Sequence, residues 1–389
     1  MKIAQIHNYY IHRGGEDVVL DLEYELLRSN GVDVIRFTAK NKKIEKNLLR
    51  TAFSTIWSFS AYRCIYRFLI NNKPDILHVH NTFPQLSPSI YWAASALKIP
   101  IVQTIHNYRF VCANALLLRK GAPCELCVDK RVRIYSIFYS CYRRSFFATV
   151  PIFWMQFIHY LLGTYQHKVD AYIVMTNFLK KIMIRGGLPK SKLYVKPHFV
   201  FKKTQKSCRR FFQIIFIGRI ASEKGVELLL KAWISLKQSK YKLVIVGDGP
   251  QKIELQNYYG FKKNIKWLGW QSHKDILEYL SHSRYLVLTS LWYETFGMNI
   301  IEAFSSSTPV IAPAFGGFPE LIVDGVNGFL YKPLNVYSLT ETLSKLDGIN
   351  DSKWNFMSEH ARKSYEKYYT PERNFKLMMS IYRNVLDGK

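Results

Sequence analysis

Short apolar runs recur along the chain, each ending at a turn and followed by a stretch with helical spacing. In the first half such runs fall at residues 2–7, 32–37, 75–80, 99–106, 170–176 and 192–197, and they read as buried strands. Residues 17–29, closed by Gly31, and residues 178–185, ending at Gly186-Gly187, carry amphipathic helical spacing. Pro74 and Pro100 stand at strand entrances, where a missing N–H is tolerated. The polar stretch 202–210 interrupts the pattern and reads as a linker. Strands then resume at 212–217, 243–246, 264–267, 285–290 and 309–312, with helices at 226–236 and 272–281. A last helix spans 371 to about 386, with Thr370 as its expected N-cap. This alternation predicts α/β architecture built on doubly wound parallel sheets. The boundaries expected are a first domain at 1–200, a second at 211–370, and the closing helix at 371–389.

The length of 389 residues, 48% hydrophobic and 21% charged, suits two globular domains and excludes a disordered chain. The formal net charge of +27 changes the picture, because such a surface attracts polyanions, anionic headgroups or phosphorylated substrates. It is uneven: residues 1–200 hold 28 Lys and Arg against 11 Asp and Glu. The opening run 1–7 does not read as a secretory signal. Six cysteines do not suggest a disulfide scaffold, so a reducing, cytoplasmic location is expected.

Residues 293–320 carry the densest chemistry. Glu294 and Glu302 flank Phe296-Gly297-Met298, which opens the amphipathic run of Ile300, Ile301, Ala303 and Phe304. Glu294 is expected just before that helix and Glu302 two turns into it. A glycine at a helix start admits a ligand close to the backbone. The N–H groups and positive dipole end there suit a phosphate, and the carboxylates suit sugar hydroxyls. Earlier, Gly218-Arg219 and Lys224-Gly225 follow the 212–217 strand. An Arg fork and a mobile Lys one loop apart can converge on a diphosphate.

Three further features stand in the first half. Gly14-Gly15-Glu16 follows the first strand; it serves as a tight turn or as a ligand loop. His106 ends the 99–106 strand, where open α/β sheets collect ligands, although a lone His is often structural. Cys112, Cys124, Cys127 and Cys141 read as either a structural zinc set or buried thiols. Basic and aromatic residues follow from 130 to 144, then residues 146–163 without a formal charge. That stretch contains Pro151, Gln156 and His159, so an interfacial helix on an anionic membrane surface or a buried helix is expected rather than a span. No nucleic-acid module accompanies it, and nucleic acid is not an expected partner.

Taken together, the G-R-x-x-x-E-K-G string at 218–225, the V-G-x-G-P string at 246–250, Leu268-Gly269 and the E-x7-E pair resemble the retaining glycosyltransferases of family 4. The resemblance runs over nearly the whole chain and is most specific at 212–331. It implies the GT-B fold: two Rossmann-like domains facing an interdomain cleft, with the last helix returning to the first domain and a comparable Cys-rich insertion at 112–165. It also implies transfer of a sugar from a UDP- or GDP-sugar, with retention, no required cofactor and no catalytic metal. Arg219 and Lys224 would neutralise the diphosphate. Glu294 and the amides of 296–298 would hold the donor sugar, and Glu302 the ribose. Gly14, Gly15 and His106 would face the donor. The acceptor expected is a lipid-linked or oligosaccharide glycan in O-antigen, capsule or exopolysaccharide assembly, at the inner membrane face. A nucleotide-sugar epimerase and a non-catalytic binding protein are the alternatives. Two departures stand out: Thr308 where relatives carry Gly, and Tyr293-Glu294-Thr295 in place of an acidic-Gly pair.

Overall fold

A computed structural model of the chain describes residues 1–10, 14–40, 48–201, 209–260 and 264–388, with the side chains of 48–50 excepted. Arg13 of the first Gly-rich turn and most of the 202–210 linker lie outside the described residues. The chain divides into two compact units, one of residues 1–117, 125–198 and 372–389, the other of 118–124 and 199–371.

The strands, in chain order, are β1 (Lys2–Tyr9), β2 (Asp33–Lys40), β3 (Ile76–Asn81), β4 (Ile101–Thr104), β5 (Leu118–Arg119), β6 (Ala122–Pro123), β7 (Ala171–Val174), β8 (Leu193–Val195), β9 (Phe211–Ile217), β10 (Lys242–Val246), β11 (Ile265–Gly269), β12 (Ser283–Val287), β13 (Val310–Pro313) and β14 (Gly328–Tyr331). In the first unit a six-stranded parallel sheet runs β2-β1-β3-β4-β7-β8. Ile3 pairs with both Val34 and Ile76, so β1 is central and buried. A parallel sheet covered on both faces is expected to be apolar throughout. Here Gln5, His7 and Asn8 on β1 and His78, His80 and Asn81 on β3 are buried as well. Buried polar groups need partners, and these find them near the carboxyl ends of the strands.

The helix Gly15–Ser29 buries Val19, Leu20, Leu26 and Leu27 together with Asp17 and Glu23. The helix Phe146–Leu161 has 16 residues, and no helix among the described residues is long and apolar enough to cross a membrane. It is two-faced. Ile152 and Met155 join a small core with Ala113, and Gln156 donates to the Arg109 carbonyl at 2.6 Å. Phe147, Trp154 and Leu161 stay exposed on it.

The second unit holds a parallel sheet in the order β11-β10-β9-β12-β13-β14. Ile214, Phe216, Leu229, Leu230, Trp233, Leu243 and Ile245 form the centre of its core. Strand order reverses between β9 and β12, which is where an open sheet of this topology leaves a crevice at its carboxyl edge. The helix Met298–Ser305 follows β12, and its N-cap Gly297 has φ 101°, a conformation that strongly favours glycine. The helix begins at Met298, so Glu302 is its fifth residue and lies little more than one turn in, not two.

Thr308 does tie its turn together: its hydroxyl donates to the Leu280 carbonyl at 2.8 Å and accepts from Arg210 at 2.8 Å. The left-handed residue there is Ser307, φ 55°. Thr308 therefore needs none of glycine's freedom.

Candidate active site

In the second unit, two loops leave the sheet at its point of reversal. Residues 218–225 follow β9, and residues 288–297 follow β12. They are laced together: Leu291 N donates to the Glu223 carbonyl at 2.9 Å, and Thr289 Oγ1 donates to the Lys224 carbonyl at 2.9 Å. Gly225 permits this approach, because a Cβ there would stand 2.0 Å from the Thr289 carbonyl oxygen. Gly247 does the same against the Gly218 carbonyl oxygen, at 1.9 Å, with φ +138°. Backbone is thus packed against backbone, and side chains are left to project from a rigid rim.

The lacing brings Lys224 to Glu294. Nζ lies 2.6 Å from Oε1, with both side chains partly buried. Ser290 Oγ donates to the same oxygen. The Trp292 ring centroid is 5.7 Å from the ammonium, within cation–π range. Oε1 is engaged twice, and Oε2 remains to accept from a ligand hydroxyl. Asn299, one residue into the helix, donates to the Ile217 carbonyl at 2.7 Å. That bond fixes the helix start against the end of β9. Phe296 is buried and packs its ring 6.0 Å from that of Tyr369. Glu302 is 6% exposed and accepts from or shares a proton with His273 Nε2 at 3.0 Å. Arg219 is exposed at the end of β9 and pairs with no carboxylate among the described residues. Of the four charged residues singled out in the sequence, the fold joins Lys224 and Glu294 directly; Arg219 and Glu302 stand on adjoining loop and helix.

In the first unit, Gly14 caps the helix Gly15–Ser29: its N–H donates to Asp17 Oδ2 at 2.8 Å. Asp17 Oδ1 in turn lies 2.6 Å from His7 Nε2. Asn107, next to His106, donates to Glu16 at 2.6 Å. His106 itself is 8% exposed and lies between the near-parallel rings of His80 and His198, with centroids at 5.2 and 5.5 Å. Burial, reinforced by the neighbouring histidines, holds His80, His106 and His198 well below the ordinary imidazole value. Glu23 is buried with Lys196, Nζ 2.8 Å from Oε1, and Asn374 accepts from the same ammonium at 3.1 Å. Tyr382 shares a hydrogen bond with His78 Nδ1 at 2.8 Å.

Glu23, His78 and His80 place one ligand atom each within 4.8 Å of one another. The ammonium on Glu23 and the tyrosine hydroxyl on His78 already supply that cluster with its charge and donors, so it does not fit a cation. The cysteines do not fit one either. Cys112, Cys127 and Cys141 of the first unit form no group of ligand atoms at metal distance. Cys112 instead donates to Asn114, and burial raises its thiol; a zinc would need thiolates converging.

Sequence reading passed over Glu23, His80, Lys196, Ser290 and Asn299. The signal for His80 was present: His78-Val79-His80 puts two imidazoles on one face of a strand otherwise apolar.

The family model described as "Glycosyltransferase Family 4" matches residues 12–201, and that described as "Glycosyl transferases group 1" matches 201–363. An uncharacterized 41.2 kDa protein in the cps region of Klebsiella pneumoniae is 24% identical, over 97% of this chain and 99% of that one. Among solved structures, a lipopolysaccharide outer core galactosyltransferase in its apo form superposes with a TM-score of 0.69 at 18% identity, covering 99% of each chain. HepE of Anabaena, solved in complex with UDP, superposes with a TM-score of 0.67 at 17% identity, covering 98% of this chain and 99% of that one.

Proposed function

We propose that this chain, a glycosyltransferase with the GT-B fold, moves a sugar from a nucleoside-diphosphate sugar to a glycan acceptor with retention of anomeric configuration. The observation that carries the reading is the Lys224–Glu294 pair at the carboxyl edge of the second sheet, beside an exposed Arg219 and a glycine-capped helix start. The UDP held by the Anabaena structure supports a nucleotide donor.

In this reading the two cations take on the charge that grows on the departing diphosphate. Such stabilisation, stronger in the transition state than in the ground state, accelerates the step itself. Lys224 serves as the mobile charge and Arg219 as the planar fork, so no divalent metal is assigned a role. Glu294 accepts from donor-sugar hydroxyls through Oε2 while Lys224 and Ser290 hold Oε1. The amides of 296–298 complete the sugar site, and Glu302 accepts from the ribose hydroxyls. Gly14, Gly15 and His106 are assigned donor contacts on the family resemblance.

For the acceptor we assign a lipid-linked glycan of surface-polysaccharide assembly. The cps-region relative supports this. So does the exposed apolar face of Phe146–Leu161 near Arg143 and Arg144, which suits an anionic membrane surface. Calorimetric titration with UDP and GDP in EDTA tests the donor site. One nucleotide is expected to bind, at least tenfold more weakly to Lys224→Met. Equal binding by both proteins would refute the assignment of Lys224.

A further inference from the structure

We propose, on the reading that the acceptor is lipid-linked, that an aromatic cleft in the first unit holds the apolar chain of that lipid, with its phosphate at Lys168. Trp57, Phe59 and Tyr62, around the start of the helix Phe59–Asn72, line this cleft together with Trp92 and Ala96 of the helix Ser89–Ala96 and with Lys168. Its space of about 440 Å³ falls within the ~300–1,000 Å³ of small-ligand sites. The walls are fixed from within the fold. The Trp57 ring centroid lies 6.2 Å from those of Phe59 and Trp92 and 6.3 Å from that of Tyr62. Trp92 Nε1 donates to Thr164 Oγ1 at 3.1 Å. The same hydroxyl lies 2.9 Å from Nδ1 of the fully buried His159, whose ring is near-parallel to that of Trp57 at 6.1 Å. The polar end of Trp92 is thus satisfied inside the protein, and its carbon surface is left to the cleft.

The lining selects the ligand. Lys168 is the charged residue among those that form the cleft. Its ammonium sits 4.5 Å from the Trp92 ring centroid and pairs with no carboxylate among the described residues. No carboxylate or carboxamide lines the space, and its side-chain hydroxyls are those of Tyr62 and Ser95. A sugar ring placed there would leave most of its hydroxyls unpaired, at a cost. A quaternary ammonium, the other ligand that aromatic walls favour, would meet the like charge of Lys168. An apolar chain leaves no polar group unmet and gains by burial. A phosphate on its end complements the free ammonium. The chemistry that satisfies both features is a lipid phosphate.

The cleft also stands in a useful place. A second cavity, lined by His80 and His106, lies at the carboxyl ends of β3 and β4. The helix Ser89–Ala96 gives Tyr91 to that cavity and Trp92 to the cleft, and the segment Thr164–Lys168 gives Tyr165 to the one and Lys168 to the other. A chain in the cleft is therefore separated by shared elements alone from the sheet edge where substrates are assigned. Leu161 and Leu162, exposed just before that segment, add apolar surface at the end of the helix Phe146–Leu161, the one assigned to the membrane.

The test is calorimetric titration of the full chain with farnesyl phosphate, kept below its micelle concentration, and with farnesol and maltotriose. Wild type is expected to bind farnesyl phosphate about tenfold more tightly than farnesol, and maltotriose not at all. Phe59→Asp sets a carboxylate in the wall at a helix start, where an acid is tolerated, and Ala96→Trp fills the cleft from an exposed position. Each should weaken farnesyl phosphate about tenfold or more. UDP binding, which also reports folding, should stay within about twofold. Lys168→Gln should reduce farnesyl phosphate to the level of farnesol. Maltotriose bound in place of farnesyl phosphate overturns the proposal, as does farnesyl phosphate bound equally by wild type, Phe59→Asp and Ala96→Trp. A wild type that binds phosphatidylglycerol vesicles but no monomeric farnesyl phosphate overturns it too, because the aromatic face is then a membrane contact only. Binding as expected, with no nucleotide release on adding membrane glycolipid extract, would defeat the lipid-linked acceptor reading and leave the lipid phosphate site standing.

Discussion

Mild acid should destabilise the first unit well before its surface carboxylates titrate. His78 is fully buried beside Glu23, Lys196, His80 and Tyr382. Burial lowers its pKa from 6.5 to about 4. Between those two values the unfolded chain binds the proton and the folded chain does not. Stability therefore falls as pH drops from about 6.5 towards 4, and this contribution is lost in full below 4. A displacement of that size corresponds to about 3 kcal/mol, a large fraction of the ~5–15 kcal/mol that holds a typical domain. His80, His106 and His198 are lowered by burial too, so each adds a loss of the same sign. Glu23, also lowered, adds one more as pH falls below the ordinary carboxylate range. Urea titrations at pH 7.5, 6.5, 5.5 and 4.5, followed by tryptophan fluorescence, would read the slope. His78→Gln should flatten it by up to one proton, about 1.4 kcal/mol per pH unit, whatever its starting stability. An unfolding free energy that is level from pH 7.5 to 5 would refute this account of the buried histidines.

Three other perturbations have definite directions. Lys196→Met leaves the Glu23 carboxylate buried without its partner and should cost about 3–5 kcal/mol, seen as a fall in the first unit's urea midpoint. Gly247→Ala drives a Cβ into the Gly218 carbonyl oxygen at a φ that L residues avoid. It should destabilise the second unit by more than about 2 kcal/mol, measured in the same way, and weaken UDP binding. Glu302→Gln keeps the shape of the side chain but removes a charged acceptor, and should weaken nucleotide binding about tenfold to a hundredfold while thermal stability moves little.

The framework of the fold was legible because parallel strands buried on both faces leave unmistakable apolar runs. Lys2–Tyr9 and Phe211–Ile217 fall where the pattern places them. Positions within a helix were less legible: Glu302 was expected two turns in and lies little more than one. The run after Gly297 stops at Ser305 because Ser306 and Ser307 turn the chain, a tertiary choice fixed by Arg210 reaching across the fold. In the candidate site, Lys224 and Glu294 were readable from their motifs, but their direct pairing was not, since 70 residues separate them. The histidine and glutamate network was hidden for a different reason. Helical spacing treats Glu23 as a surface residue, and only Lys196, brought from the far side of the chain, makes its burial tolerable. The cysteine spacing left two readings open, a structural zinc set and buried thiols, and burial raises the Cys112 thiol.

The most direct test of the donor site is a panel of UDP- and GDP-sugars presented to the purified chain with membrane glycolipid extract. It is scored for nucleoside diphosphate release, for wild type and Glu294→Ala. The account predicts release from one donor, dependent on the extract, and lost in the variant. Release that persists undiminished in Glu294→Ala, or a wild type that neither binds nor turns over any donor, would contradict it.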